Sequence, residues 1–362
     1  MHKRKISIYC SLVSAAFIIG LLSISIFVSC SKDPTSSSKD DNQLEYVTPE
    51  EVGYSSEKLN EAQQFAEQSG YAAIMALCDG KVFFSWGEIT KNYWCHSIRK
   101  PFLSGLYGIH VEQGNINLDA TLEELNIDDI PPSITPEEKQ ATVIDLLKSR
   151  SGVYHGAAAE VPIMIETRPE RGSHPPGTFY YYNNWDFNAL GTIFEQETET
   201  KIFEEFKRKI ADPVGMEDFS IENCYYQYEL EKSMHPAYCF RMSARDMARF
   251  GVIYQNNGMW KDLRIIPSEW IIESTTAYSI VDSTYGMGYG YMWNVLPEGS
   301  LMAEMVGSPG YYHTGVGVHA LVILPKLKLV IVERFDTDGD WIDPGEVGME
   351  LGIMIINARI SD

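Results

Sequence analysis

The sequence predicts an α/β protein of the α+β type. A mostly antiparallel sheet is built from both chain ends and flanked by helices, with a mainly helical subdomain inserted between its halves. Three observations carry this reading. Strand-like runs occupy both ends: "YAAIMALCDGKVFFSWG" (71–87) early, and "GYGYMWNVLP", "VGVHALVILP" and "LKLVIVERF" late. Residues from about 97 to 275 are mainly helical in pattern. The connections near the ends are hairpin-like, which antiparallel neighbours allow and parallel ones do not.

Taken in order, the chain opens with "MHKRK" and then the apolar run "SLVSAAFIIGLLSISIFVSC". A basic start, an apolar run and small residues before Cys30 fit a secretory signal over residues 1–30. "FVSC" resembles a bacterial lipobox, with Phe27 where an aliphatic residue is usual. Cleavage would leave Cys30 as a lipid-attachment site, and an uncleaved run would still serve as an anchor. Either outcome tethers the protein outside the cytoplasm, facing periplasm or exterior. "SKDPTSSSKDDNQ" opens a linker by composition, assigned to 31–45, and the folded domain follows over 46–362.

"SSEKLNEAQQFAEQSG" (55–70) predicts a helix capped by Ser55 or Ser56 and closed by Gly70. Asp79-Gly80 predicts a tight hairpin between two strands. "SARDMARFGVIYQNNG" predicts a helix with Ser243 and Asp246 as its capping box and Gly258 beyond its end. "GEVGMELGIMIINARI" predicts a last helix.

The formal charge of −21 excludes a nucleic-acid partner, because such a surface repels phosphate backbones. Without Lys3, Arg4 and Lys5 the balance is 26 basic against 50 acidic side chains. Setting Cys10 and Cys30 aside, Cys78, Cys95, Cys224 and Cys239 show no metal-ligand spacing. Cys224 with Cys239 is the nearest couple for a disulfide, and buried free thiols are the alternative. "DTDGDWIDPGE" (336–346) fails the EF-hand pattern, with glycine fourth and no glutamate twelfth, and reads as a solvated acidic loop.

"HSIRKPFLSGLYGIHV" sets Ser97 and Lys100 three apart at the start of an apolar helix. The same spacing at Ser29, Ser36 and Ser55 falls in the signal, the linker and an exposed cap. Only here would a lysine share a buried helix face with the hydroxyl. A serine needs a base to become a nucleophile. A lysine can be that base if its pKa falls from about 10.4 towards neutrality, a shift worth roughly 4–5 kcal/mol that burial and a neighbouring cation can supply. Two more segments bear on this chemistry. "YYYNNWDFNALG" (180–191) offers a tyrosine-x-asparagine pair in two registers, Tyr181 with Asn183 or Tyr182 with Asn184. "YYHTGVGVHALVILP" (311–325) has His313, Thr314 and Gly315 at a glycine-rich turn into a strand.

These motifs, and the text around them, resemble the class C β-lactamase-related serine hydrolases and penicillin-binding-protein-like esterases, from about residue 50 to the end. "SIRK" matches the family's nucleophile motif, "YNN" its tyrosine motif, and "HTG" the place of its lysine-threonine-glycine motif. "TVIDLLKSRSGVYH" and "FRMSARDMARFG" read like family members too. The resemblance implies a β-lactamase/transpeptidase-like fold, and with no zinc motif, phosphate-cradling loop or dinucleotide fingerprint in the sequence no cofactor or metal is expected. It implies Ser97 as acylated nucleophile, Lys100 as its deprotonating partner, and Tyr182 as acid/base, the register selected by counting back from "FNALG". It further implies Asn184 as polar partner and the backbone amides of Ser97 and Val316 as oxyanion hole. His313, Thr314 and Gly315 would bind substrate, and so would Tyr154 and His155 from "SGVYH", where relatives carry a loop over the cleft.

His313 departs from the lysine of β-lactamases, a permanent cation for the substrate carboxylate. A histidine is mostly neutral at pH 7. That favours a neutral acyl group, unless Arg99 or Arg334 replaces the missing charge. The leading expectation is therefore an exported serine hydrolase cleaving an ester or amide through an acyl-enzyme. A true β-lactamase or D-alanyl-D-alanine carboxypeptidase is the alternative, and an inactive binder of cell-wall fragments is the alternative of another class.

Overall fold

The computed structural model describes residues 42–339 and 350–360. The expected signal segment, Cys30, linker residues 31–41 and the later part of the acidic loop lie outside the described residues. Residues 42–45, expected as linker, already touch the domain. Trp260 Nε1 donates to Asn42 Oδ1 over 3.0 Å, and Val82 N–H donates to the Glu45 carbonyl over 2.8 Å.

Eight strands make one sheet: β1 (Ala73–Cys78), β2 (Lys81–Gly87), β3 (Ser279–Asp282), β4 (Met287–Tyr289), β5 (Asn294–Leu296), β6 (Gly310–Gly315), β7 (His319–Leu324) and β8 (Leu329–Arg334). Their order is β2-β1-β8-β7-β6-β5-β4-β3, and every neighbouring pair is antiparallel. The first and last strands thus pair near one edge of the sheet, where β1 lies between its hairpin partner β2 and β8. Asp79 and Gly80 turn the β1–β2 hairpin with φ of +52° and +76°, the left-handed pair that a tight hairpin needs.

Alternation sorts the sheet into two buried faces. Met75, Leu77, Leu321, Ile323, Val330 and Val332 join the larger core, while Ile74, Ala76, Leu324, Leu329 and Ile331 join the smaller. Helices α1 (Ser56–Gln68) and α5 (Glu350–Asn357) pack together over the smaller core. Ser55 caps α1, its hydroxyl accepting from the Lys58 N–H. Across the sheet, α4 (Ala244–Gln255) lies so close that a Cβ on Gly251 would meet Val330 at 2.5 Å. The larger core also holds α2 (Arg99–Glu112) and α3 (Asn184–Thr198), the two helices that begin at the candidate site.

Three sequence expectations change. The middle of the chain is not helical throughout: Tyr225–Glu229 and Ser233–Cys239 form a hairpin that packs on α3. "GYGYMWNVLP" is two strands, β4 and β5, because Gly290–Trp293 turns between them. The capping box of α4 is half made: Ser243 accepts from the Asp246 N–H. The Asp246 carboxylate instead accepts from the N–H groups of Glu217, Asp218 and Phe219, tying a distant turn to the helix start. All four described cysteines are free thiols, so Cys224 and Cys239 do not pair. In the acidic loop, Asp336 meets Lys91 at 2.5 Å and Asp338 meets Arg241 at 2.5 Å.

Candidate active site

The nucleophile candidate stands where an extended segment becomes α2. Tyr93–Trp94 pairs with Arg241–Met242, and Cys95 N–H donates to the Phe240 carbonyl over 3.0 Å. The fully buried Arg334 guanidinium donates to the carbonyls of Tyr93 and Trp94, both at 2.9 Å, and of Met242 at 3.3 Å. His96 then takes a left-handed φ of +46°, a conformation a histidine adopts only when its surroundings impose it. The turn His96–Ile98 follows and α2 begins, with Pro101 in its first turn, where the missing N–H breaks no intrahelical bond. Every residue of α2 from Arg99 to His110 is buried. Gly105 and Gly108 make that possible: a Cβ on Gly108 would fall 2.3 Å from the Trp270 ring.

Helical spacing brings Lys100 Nζ to 2.9 Å from Ser97 Oγ. Lys100 is 1% exposed, and its ammonium end lies 4.7 Å from the ring centroids of both Tyr182 and Phe187. Burial first, and the Arg99 cation second, hold its pKa well below the usual lysine range. The Tyr182 hydroxyl lies within hydrogen-bonding reach of Ser97, and burial holds the phenol above its ordinary pKa. Tyr181 turns away and donates to the Met164 carbonyl, so the structure selects the Tyr182 register. Asn183 caps α3, and Asn184, its first residue, lines the cleft. Asn184 Nδ2 donates to the Ala159 carbonyl over 2.6 Å, leaving its buried Oδ1 without a partner.

β6 closes the site from the sheet side. A Cβ on Gly315 would stand 2.8 Å from the Cys95 carbonyl, so only glycine lets the strand pass the nucleophile turn this closely. Val316 follows and lines the cleft with Ser97. His313 is 1% exposed, and its Nδ1–H donates to the Thr314 carbonyl over 2.8 Å. That bond fixes the tautomer and leaves Nε2 as a buried acceptor with no partner. Burial, with Lys100 nearby, pushes the His313 pKa down to about 3, so the ring is neutral at physiological pH. The cleft has a volume of about 350 Å³.

A sequence model of the β-lactamase family matches residues 63–338. The chain belongs to the β-lactamase family. Members of this family are serine hydrolases, and Ser97, Lys100 and Tyr182 converge here as the family motifs imply. No curated protein sequence gives a significant match. Solved structures of the same fold include an octameric penicillin-binding protein homologue from Pyrococcus abyssi, at 21% identity and a TM-score of 0.62, covering 83% of this chain and 78% of that one. A D-stereospecific amidohydrolase from Streptomyces sp. is 18% identical with a TM-score of 0.58, covering 81% and 98%. EstCE1, a hydrolase with promiscuous acyltransferase activity, is 15% identical with a TM-score of 0.57, covering 84% and 98%.

Within this β-lactamase-family cleft some expected residues are elsewhere. Tyr154 sets its ring edge-on against His174 and Tyr181. His155 lies 3.1 and 3.2 Å from the carbonyls of Gly156 and Pro132, so its ring is held between its own loop and the Pro132 segment. Neither lines the cleft. Thr314 alternates to the opposite face of the sheet from His313, and only its carbonyl takes part in the site. Arg334 is spent on backbone carbonyls, which leaves Arg99 as the cation of the cleft. Arg99 is held by Asn188 Oδ1 at 2.8 Å and stacked 4.2 Å over the Tyr238 ring, with Nη1 unpartnered. Sequence reasoning missed Trp94, Met164 and Gln227 as cleft walls. Trp94 could have been inferred from adjacency to Ser97. Met164 and Gln227 come from a short helix and a hairpin whose approach no local pattern announces.

Proposed function

We propose that this protein is an exported serine hydrolase that cleaves an ester or amide bond of a substrate with a neutral acyl group. One observation carries the reading: a serine hydroxyl 2.9 Å from a buried amine whose surroundings favour its neutral form. Neutral Lys100 takes the Ser97 proton as Oγ attacks the carbonyl carbon. The backbone amides of Ser97 and Val316 receive the oxyanion. Tyr182, kept as a phenol, passes its proton to the leaving alcohol or amine and regains one from the Lys100 ammonium. Water then attacks the acyl carbon, giving its proton to Lys100, and Ser97 Oγ is reprotonated as the acid leaves. A neutral His313, offering an acceptor where β-lactamases offer a cation, supports a neutral acyl group over a carboxylate.

The printed names of structural neighbours, an amidohydrolase and a hydrolase with acyltransferase activity, agree with ester or amide chemistry. A second reading, a true β-lactamase or D-alanyl-D-alanine carboxypeptidase, draws on the spare guanidinium N–H of Arg99, which could take a substrate carboxylate. The protein would act from a membrane tether at Cys30; globomycin-sensitive labelling with a fatty acid would test that. Mass spectrometry after incubation with p-nitrophenyl butyrate, an anilide and a chromogenic cephalosporin tests the reaction. The proposal expects an acyl increment on Ser97 from the ester or anilide, lost in Ser97→Ala. Turnover of the cephalosporin well above that of the ester would install the second reading. Absence of any increment, and of labelling by a fluorophosphonate, would leave a binding protein.

A further inference from the structure

Behind the strand that carries His313 lies another hollow, on the face of the sheet away from Ser97. Register sets Thr314, Ala320 and Glu333 in one row across β6, β7 and β8. Ala320 is too short to fill its place in that row. Opposite, Gly352 lets the backbone of α5 come close: a Cβ there would stand 3.2 Å from Glu333 Oε1. The result is a pocket of about 80 Å³ whose remaining walls are almost all apolar, among them Met302 and Ile356. A single water needs roughly 10–15 Å³, so the space suits a short organic chain.

Glu333 is the only carboxylate that lines it among the described residues. It is 1% exposed, and Oε2 has no hydrogen-bond partner. Burial pushes its pKa up to about 8, and no cation among the described residues opposes that shift. An unpaired carboxyl in apolar surroundings is costly, and a strand reading "LVIVER" would be more stable with another aliphatic residue here. Glu333 Oε2 lacks a partner, and the pocket lacks a body.

The geometry points to a binding site for a small primary alkylammonium, its –NH₃⁺ paired with the Glu333 carboxylate and its alkyl chain lying against Met302 and Ile356. An ammonium supplies the donors and the charge that Glu333 lacks, and the apolar walls supply what a short chain needs. An ammonium supplies the countercharge that lets the buried carboxyl ionise, which neither an alcohol nor a carboxylate ligand provides. The net charge of −21 concentrates small cations at the surface.

Isothermal titration of the purified full chain with n-butylammonium, n-butanol and butyrate tests this. We expect n-butylammonium to bind and raise the melting midpoint, n-butanol to bind at least about tenfold more weakly, and butyrate not at all. Glu333→Gln should lose at least about tenfold in n-butylammonium affinity while keeping wild-type ester hydrolysis. Met302→Trp fills the pocket and leaves the carboxyl, and should abolish binding. Equal affinity for butylammonium and butanol, or no binding at millimolar concentration, would overturn the proposal. So would binding that survives Met302→Trp, which decides the matter even if Glu333→Gln fails to fold.

Discussion

Replacing Lys100 by methionine separates a catalytic amine from a structural one, because the two roles move stability in opposite directions. Methionine matches the length of the lysine stem and would fill the space between the Tyr182 and Phe187 rings, 4.7 Å away on either side. Without its base, Ser97 should lose about 10²–10⁴-fold in kcat/KM, or roughly 3–5 kcal/mol of transition-state stabilisation. Stability should rise. Burial lowers the Lys100 pKa in the folded chain while the unfolded chain keeps its reference pKa of about 10.4, so the unfolded state binds more protons below that pH. That penalty is present below the unfolded pKa and fades as pH rises towards it. Lys100→Met should therefore gain on the order of 1–4 kcal/mol at pH 7, the range seen when buried charged groups give way to apolar ones, and less at pH 10. Ester hydrolysis by initial rates and urea unfolding at pH 7 and 10 measure both halves. A charged, structural Lys100 stacked on two rings would instead give a destabilised variant with its activity within tenfold of wild type, and that result would refute the reasoning.

Arg99→Met removes the cation beside Lys100, lets the lysine hold its proton to higher pH, and should move the acid limb of the kcat/KM profile upward. Arg99→Lys should restore the limb, and a limb that stays put in Arg99→Met would show that burial alone tunes the amine. Gly315→Ala drives a methyl to 2.8 Å from the Cys95 carbonyl and should cost more than about tenfold in kcat with circular dichroism unchanged. Unaltered kcat would mean the strand does not set the oxyanion hole. His313→Lys puts an amine that a substrate carboxylate can hold protonated where the neutral ring sits, and should raise turnover of carboxylate-bearing substrates relative to neutral esters. An unchanged ratio by competition assay would remove His313 from substrate selection.

Much of this was legible in the chain. "YAAIMALC" and "LKLVIVERF" could be read as strands because short apolar runs bounded by turn residues are a local signal, but their two faces could not, since both are buried. Asp79-Gly80 turned as expected because its left-handed φ values are a property of two adjacent residues. Ser97 and Lys100 were readable as neighbours because three residues on a helix is a fixed geometry. The sites of error share a cause. Tyr154 and His155 sit in a loop whose direction depends on what Asp129, Pro132 and His174 do around it. Thr314 was assigned to the cleft by its motif, yet strand alternation beside His313 sends it through the sheet.

The amino-acid sequence by itself determined the fold class and the pairing of Ser97 with Lys100, because apolar runs, turn residues and helical spacing act over a few positions. Only the tertiary structure decided that Arg334 is consumed by backbone carbonyls while Arg99 stays in the cleft, and that Glu333 faces an apolar pocket. Each depends on which face of the sheet or helix a side chain meets once distant segments have packed. That choice is made by contacts hundreds of residues apart, which no local pattern encodes.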